Sequence, residues 1–326
     1  MAVGEQSTEN LRSDQKLWPL LLIALAMGTV GYYLALSSPE PQLEHRGAYG
    51  IERSEPIDPE AVADDENVTL QYGAGPERSL QLAIDQSHRA GDSEMTTQID
   101  LDLSETRESV DGGIEYTREY EQVGVSMQEN GRPVDAEIAA QIESLLVGTR
   151  AVSTVSSIGR PKTHEWRSVT NPQVRQTLYI LRHATRLLTP HLRRDAVNPG
   201  DSWSYTLPAK SVADSQFVES LDGKVRVRME YVGTVERDGR RLAVLDRSIE
   251  LSGGGEIQLE EEPGPRWFEL SGQGSGRVLF DIERGMVVES RVNFERTLEL
   301  QGPEGETRKR KGQIELYLRE APKNGS

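Results

Sequence analysis

Between Asn171 and Arg194 the chain places five arginines, Arg175, Arg182, Arg186, Arg193 and Arg194, and no carboxylate. A guanidinium presents a planar fork of donors that matches phosphate and carboxylate oxygens. The whole chain carries a net charge of −16, so this stretch reverses the local sign. One reading is a docking face for an anionic headgroup, a glycan phosphate or an acidic partner. The other is internal pairing with acidic strands, with cations favoured near a helix C-terminus.

Other candidate chemistries are weaker. Of the histidines, His45, His88, His164, His183 and His191, only the last two are close in sequence. On a helix they lie about two turns apart, too far to share a metal as an i, i+4 pair does. They read as ordinary, partly exposed histidines. Asp100 and Asp102 share one face of a strand, where paired carboxylates can do acid–base work. The strict alternation of 98–103 explains them as a wet strand face. The acidic runs at Asp64-Asp65-Glu66 and Glu260-Glu261-Glu262 lack the spacing and glycine of a calcium loop. Cysteine is absent, which excludes disulfides, thiolate zinc sites and a lipid-modified cysteine. There is no nucleophile elbow, phosphate loop or dinucleotide fingerprint. Gly253-Gly254-Gly255 lies between strands and opens no helix. Arg308-Lys309-Arg310-Lys311 follows a turn and feeds a strand. No catalytic residue, metal ligand or cofactor site follows from these residues, and the expectation is a protein that is not an enzyme.

The arginines need a helix to present them. Asn171 is an N-cap with Pro172 at the first helical position. Val174, Leu178, Leu181, Thr185 and Leu188 form one mostly apolar face, and Pro190 ends the run. A shorter helix over 133–148 carries Ile138, Ile142 and Leu145 on one side. Strand patterns surround both helices at 79–87, 94–103, 112–128, 151–156 and 162–169. Further strands are predicted at 202–207, 217–236, 241–251, 267–271, 276–282, 286–300 and 308–319. Asp111-Gly112, Asn130-Gly131 and Asp238-Gly239 are hairpin-type turns, so neighbouring strands are antiparallel. The fold class is α+β: a curved, mainly antiparallel β-sheet with about two packing helices, preceded by one transmembrane helix. Glu108-Ser109-Val110-Asp111-Gly112 and Glu219-Ser220-Leu221-Asp222-Gly223, each with Glu-Tyr at the same later offset, raise the alternatives of duplication and shared turn chemistry.

Residues 17–36 carry no charge and are long enough to cross a bilayer core. Trp18 stands at one end and Tyr32 and Tyr33 toward the other. A cleaved signal peptide is the rival reading, with Ala35-Leu36-Ser37 as a cleavage site. Its leading segment is long and not net basic, which favours an anchor. The expected organisation is a short cytoplasmic tail (1–16), a signal-anchor helix (17–36), an acidic flexible linker (37–66) and an extracytoplasmic β-rich domain (67–322). The last is open to a reading as two half-sheets, 67–170 and 201–322, joined by helix 171–189. Lys16 against the membrane puts the chain in the inner (cytoplasmic) membrane, single-pass, with its body facing the periplasm or exterior.

Leu187-Leu188-Thr189-Pro190 followed by Val197-Asn198-Pro199-Gly200-Asp201-Ser202-Trp203 resembles a segment of poorly characterised bacterial envelope proteins. In these a leucine/proline stretch leads into P-V-x-x-G-D-x-W; here Ala196 stands in place of the first proline. Gly274-Ser275-Gly276 through Phe280-Asp281 to Gly285 is similar to their G-x-G-x-x-x-F-D-x-x-x-G hairpin. The likeness touches 171–300. It implies an exported β-rich domain of unknown function and carries over no catalytic residue.

The function expected is that of a non-enzymatic, membrane-anchored envelope protein, a binding module for an apolar or lipid-like ligand. The comparison with carriers that hold lipids in a curved sheet is one of fold alone. The alternative is a structural or assembly protein that docks another envelope protein through a sheet edge or the arginine-rich helix. Partners are therefore the membrane, through the N-terminal helix, and a lipid or envelope protein. The acidic body argues against nucleic acid.

Overall fold

The computed structural model describes residues 47–54, 62–63, 67–134, 136–167, 172–211, 221–258, 265–301 and 306–321. The expected tail and membrane span, Asn171, both acidic runs and much of the expected linker lie outside the described residues. Among the described residues no helix is long and apolar enough to cross a membrane.

Among the described residues twelve strands form one antiparallel sheet. They are β1 (Gly75–Ala90), β2 (Ser93–Val110), β3 (Gly113–Glu129), β4 (Arg132–Pro133), β5 (Arg150–Val155), β6 (Pro161–Arg167), β7 (Ser202–Pro208), β8 (Asp222–Arg237), β9 (Arg240–Gln258), β10 (Pro265–Asp281), β11 (Met286–Gln301) and β12 (Thr307–Glu320). The spatial order is β6-β5-β3-β2-β1-β12-β11-β10-β9-β8-β7, with β4 beside β3. Strands before and after the arginine-rich helix thus join where β1 pairs with β12. Alternation decides the faces: Leu80, Leu82 and Ile84 on β1, and Val225, Val227 and Met229 on β8, point into the main core. The hairpin turns fall where the sequence puts them, with Asn130 and Asp238 at φ 51° and 53° ahead of Gly131 and Gly239.

Two predicted breaks are absent. Gly253-Gly254-Gly255 lies inside β9, paired with Leu270, Glu269 and Phe268 of β10. A Cβ at Gly254 would sit 2.8 Å from the Phe268 carbonyl oxygen, and one at Gly253 would sit 2.8 Å from that of Asp222. The strands approach too closely there for a side chain, so the glycines permit continuity. Likewise the predicted strands 267–271 and 276–282 are one strand, β10.

Among the described residues there are two α-helices, α1 (Ala136–Leu146) and α2 (Pro172–Leu188). Leu178, Leu181, Ala184 and Leu188 of α2 are all buried in the main core. Burying such leucines contributes roughly 1.5–3 kcal/mol each, and Leu181→Ala would cost about 2–5 kcal/mol. The C-terminal end of α2 is pinned from the sheet. The buried Arg247 donates to the Leu187 carbonyl and, through Nη2, to Ser290 Oγ at 2.7 Å; Ser290 donates to the Leu188 carbonyl at 2.8 Å. Beyond Pro190, Leu192 N donates to Ile158 O at 2.8 Å and Trp203 Nε1 to His191 O at 2.7 Å.

Residues 47–54, part of the stretch expected to be a flexible linker, cross the outer face of the sheet. Gly50 N donates to Asp100 Oδ2 at 2.6 Å and Ser54 N to Tyr317 Oη at 3.0 Å. Ile51 packs with Ala83 and Tyr317, and Arg53 pairs with Asp85 and Glu315. Asp100 is therefore fully buried and does not lie on a wet strand face. The alternation that suggested exposure is real, but this strap covers it.

Candidate functional site

Arg182, Thr185 and Arg186 on α2, with Thr189 just past its end, follow i, i+3, i+4, i+7 spacing and so form one polar stripe beside the buried leucines. The stripe meets Tyr116 and Arg118 of β3, Ser153 of β5, His164 of β6, His191 after the helix and Leu207 of β7 around a cavity of about 60 Å³. That is room for about four water molecules. A second cavity of about 10 Å³ adjoins it through Arg118, Thr185 and Thr189, and is otherwise lined by Leu82, Leu103, Tyr120, Leu188 and Leu318. Both edge strands, β6 and β7, contribute to the larger cavity, so the sheet curls around α2 until its two edges wall the same space.

Among the described residues neither Arg182 nor Arg186 has a carboxylate within 4.0 Å. Burial, then the neighbouring Arg182, lowers the Arg186 guanidinium to about 10. The same burial and the same arginines keep the nearby imidazoles neutral. His164 is lowered to about 4 by burial, then by Arg182, Arg186 and Arg118. His183 falls to about 3 by burial, Arg186 and Arg182, and His191 to about 4 by burial, Arg160 and Arg186. The cavity's positive charge at neutral pH therefore comes from arginine alone.

Three lining residues also carry a buried polar atom without a hydrogen-bond partner: Tyr116 Oη, His164 Nε2 and Arg182 Nε. Such orphaned groups are few in folded proteins, and each costs about 1–3 kcal/mol. The other nitrogen of His164 is held, with Nδ1 2.6 Å from Ser153 Oγ, and its ring stands edge-on to Trp166. His191 stacks on Tyr205 with ring centroids 4.1 Å apart. These contacts fix the rings; Tyr116 Oη and Arg182 Nε are free to donate to a guest, as is His164 Nε2 in the tautomer whose Nδ1 accepts from Ser153 Oγ.

A contrasting cluster lies next to it. Glu105, fully buried, accepts from Arg78 Nε at 2.8 Å and Arg118 Nε at 2.7 Å. Burial alone would raise this carboxyl, but Arg78 and Arg118 outweigh it and bring it down to about 2. Arg107, also buried, donates to the carbonyls of Gly73, Arg284 and Gly285.

No protein-family model matches the chain, and no curated protein matches it. Among solved structures it is similar to lipovitellin, in a study of its lipid–protein interactions, at 9% identity and a TM-score of 0.43. That match covers 78% of this chain and 26% of lipovitellin's, so the chain spans about a quarter of the lipovitellin length. A DUF1329 family protein from Desulfovibrio piger matches at 10% identity and a TM-score of 0.17, over 76% of this chain and 88% of its own. An outer membrane channel from Pseudomonas putida F1 matches at 10% identity and a TM-score of 0.15, over 81% of this chain and 99% of its own. At these values none of the three bears on what this chain binds.

The segments that carry the envelope-protein resemblance are turns. Asp201 Oδ2 accepts from Asn198 N at 3.0 Å while Gly200 N donates to Tyr231 O. Asp281 Oδ1 accepts from Arg284 N at 2.8 Å, beside the buried Phe280. The repeated Asp-Gly pairs do different jobs: Asp111-Gly112 turns the β2–β3 hairpin, whereas Asp222-Gly223 begins β8.

Of the five singled-out arginines, the structure brings Arg182 and Arg186 together at the cavity. Arg193 lies on the loop after α2, 3.9 Å from Asp195 and 3.8 Å from Asp201. Arg194 is exposed on the same loop, and the side chain of Arg175 lies outside the described residues. Sequence reasoning missed Tyr116, Arg118 and His164, and His164 and His191 are wall residues rather than incidental histidines. Nothing local marks them, because they reach the site from β3, β6 and a loop. Among the described residues no group of three His, Cys, Asp or Glu is placed to hold a metal.

Proposed function

We propose that the protein is a non-enzymatic binding module of the cell envelope, anchored in the inner membrane by 17–36. In this reading the cavity beneath α2 takes the anionic end of a lipid-like ligand. One observation carries the proposal: two arginines with no carboxylate partner among the described residues line a small cavity in which Arg182 Nε, Tyr116 Oη and His164 Nε2 lack hydrogen-bond partners. The size argues for a headgroup rather than an acyl chain inside, and the leucine-lined neighbour lends an apolar side to the site. The uncharged run at 17–36 supports a single-pass anchor with the body in the periplasm. Protease shaving of spheroplasts tests this, since a body protected from added protease contradicts it.

The ligand test is native mass spectrometry of the full chain extracted in mild detergent. A stoichiometric anionic amphiphile is expected on the wild type and absent from Arg182→Glu/Arg186→Glu. Its recovery chemically intact would fit a binder rather than an enzyme. A clean, ligand-free wild-type mass would remove the reading.

A second reading, docking of an envelope protein, draws on the outer edges of β6 and β7, which pair with no further strand among the described residues. Against it, the large exposed apolar residues Tyr49, Val110, Val147 and Trp267 are scattered over different elements. Crosslinking from β6 that yields no envelope partner would discard it.

A further inference from the structure

We infer that the group this cavity is built for is a phosphate monoester dianion rather than a carboxylate or a phosphodiester. The inference rests on the binding reading above and names the chemistry of its ligand.

Charge comes first. Arg118 is already committed to Glu105. Arg182 and Arg186 are left with two positive charges and no described carboxylate. A carboxylate or a phosphodiester carries one negative charge and would leave one guanidinium uncompensated in a half-buried site. A phosphate monoester carries about −1.5 to −2 near pH 7 and balances both.

Geometry points the same way. The orphaned atoms reach the cavity from three elements: Tyr116 from β3, His164 from β6 and Arg182 from α2. A carboxylate offers two oxygens in one plane, whereas a phosphate monoester spreads three terminal oxygens tetrahedrally. Thr185 on α2 and Thr189 just past its end add hydroxyls. Volume agrees, because about 60 Å³ accommodates a group of roughly four water-sized units. The phosphate could belong to a lipid headgroup or be free in solution, and the two sources share this chemistry.

The test is isothermal titration calorimetry of the full chain in a neutral detergent. The probes are short-chain phosphatidic acid, short-chain phosphatidylglycerol and inorganic phosphate. Phosphatidic acid is expected to bind at least about tenfold more tightly than phosphatidylglycerol. Weak inorganic phosphate beside tight phosphatidic acid assigns the site to a lipid headgroup. Equal affinity for the two assigns it to free phosphate. Phosphatidylglycerol binding as well as phosphatidic acid overturns the dianion while leaving the anion-binding reading intact. Binding of no probe overturns both.

Tyr116→Phe separates a ligand contact from a structural role. Losing one hydrogen bond to a charged ligand should weaken phosphatidic acid about tenfold. The same change removes an orphaned hydroxyl and should leave the free protein's Tm level or raised. Unchanged affinity in Tyr116→Phe would overturn the inference.

Discussion

Arg118 stands between a buried arginine cluster and a half-buried one, and the two solve one problem in opposite ways. On one side Glu105 collects Arg78 and Arg118 within 2.8 Å, and Arg107 beside it turns Nη1 toward three carbonyls. On the other side Arg182 and Arg186 share space with neutral imidazoles and orphaned donors, and no described carboxylate answers them. In the first cluster the carboxylate and its arginines pair within the chain and hold β1, β2 and β3 together, with Arg107 Nε the one buried atom left without a hydrogen-bond partner. The second has no such pairing among the described residues, and its deficit has the sign of a missing anion. Buried arginine alone therefore does not single out a candidate site; arginine that no described carboxylate answers does.

The comparison is most easily broken at Glu105. Glu105→Gln would leave Arg78 and Arg118 buried and uncompensated, at an expected cost of about 3–5 kcal/mol in urea or thermal unfolding. In the open cluster Arg186→Met should be neutral or stabilising in the absence of ligand, because it removes an unpaired charge. An equal loss of stability for both changes would erase the distinction between the clusters.

The next effect is pH dependence, and the two clusters titrate in different, partly overlapping windows. His164, His183 and His191 have folded values of about 3 to 4 against an ordinary 6.5. The unfolded chain takes up protons first, so stability should fall as pH drops from 6.5 toward 4. The loss is on the order of a few kcal/mol at most, after discounting for the partial exposure of His164 and His191. Replacing all three with Gln should reduce the slope of Tm against pH in that window, leaving the part due to His88, which burial and then Arg296 and Arg310 also lower to about 3. Glu105, lowered from 4.5 to about 2, contributes stability that is fully present well above 4.5 and is lost progressively as pH falls from about 5 toward 2. It adds little to a decline between 6.5 and 5.

The smallest change is expected where arginines pair at the half-exposed strap. Arg53 meets Asp85 and Glu315 with about a third of its side chain exposed. Arg53→Ala should cost about 0.2–1 kcal/mol, less at high salt. A loss as large as that of Glu105→Gln would mean the strap is a core element of the fold.

Much of the architecture is local and can be read from the chain. Alternation set the strand faces, Asn-Gly and Asp-Gly set the hairpins, and the Leu178–Leu188 stripe set the buried side of α2. The acid-free run of arginines was equally visible, because charge is a property of the residues themselves. Continuity through Gly253-Gly254-Gly255 was not, since it depends on how closely β8 and β10 approach β9. Asp100 was misjudged because its cover, 47–54, arrives from a distant part of the chain.

The candidate site belongs to that second kind. Residue types and periodicity put Arg182 and Arg186 four apart on one helix, which follows from 3.6 residues per turn. Their shared cavity with Tyr116 and His164 arises only when the sheet curls around α2. His164 faces inward because β6 pairs with β5 at Ser153, with a register shift between Thr154 and Val155. A slip of one residue would turn it out to solvent. Register and curl are set by contacts across the whole molecule, so no local pattern in β6 could announce them.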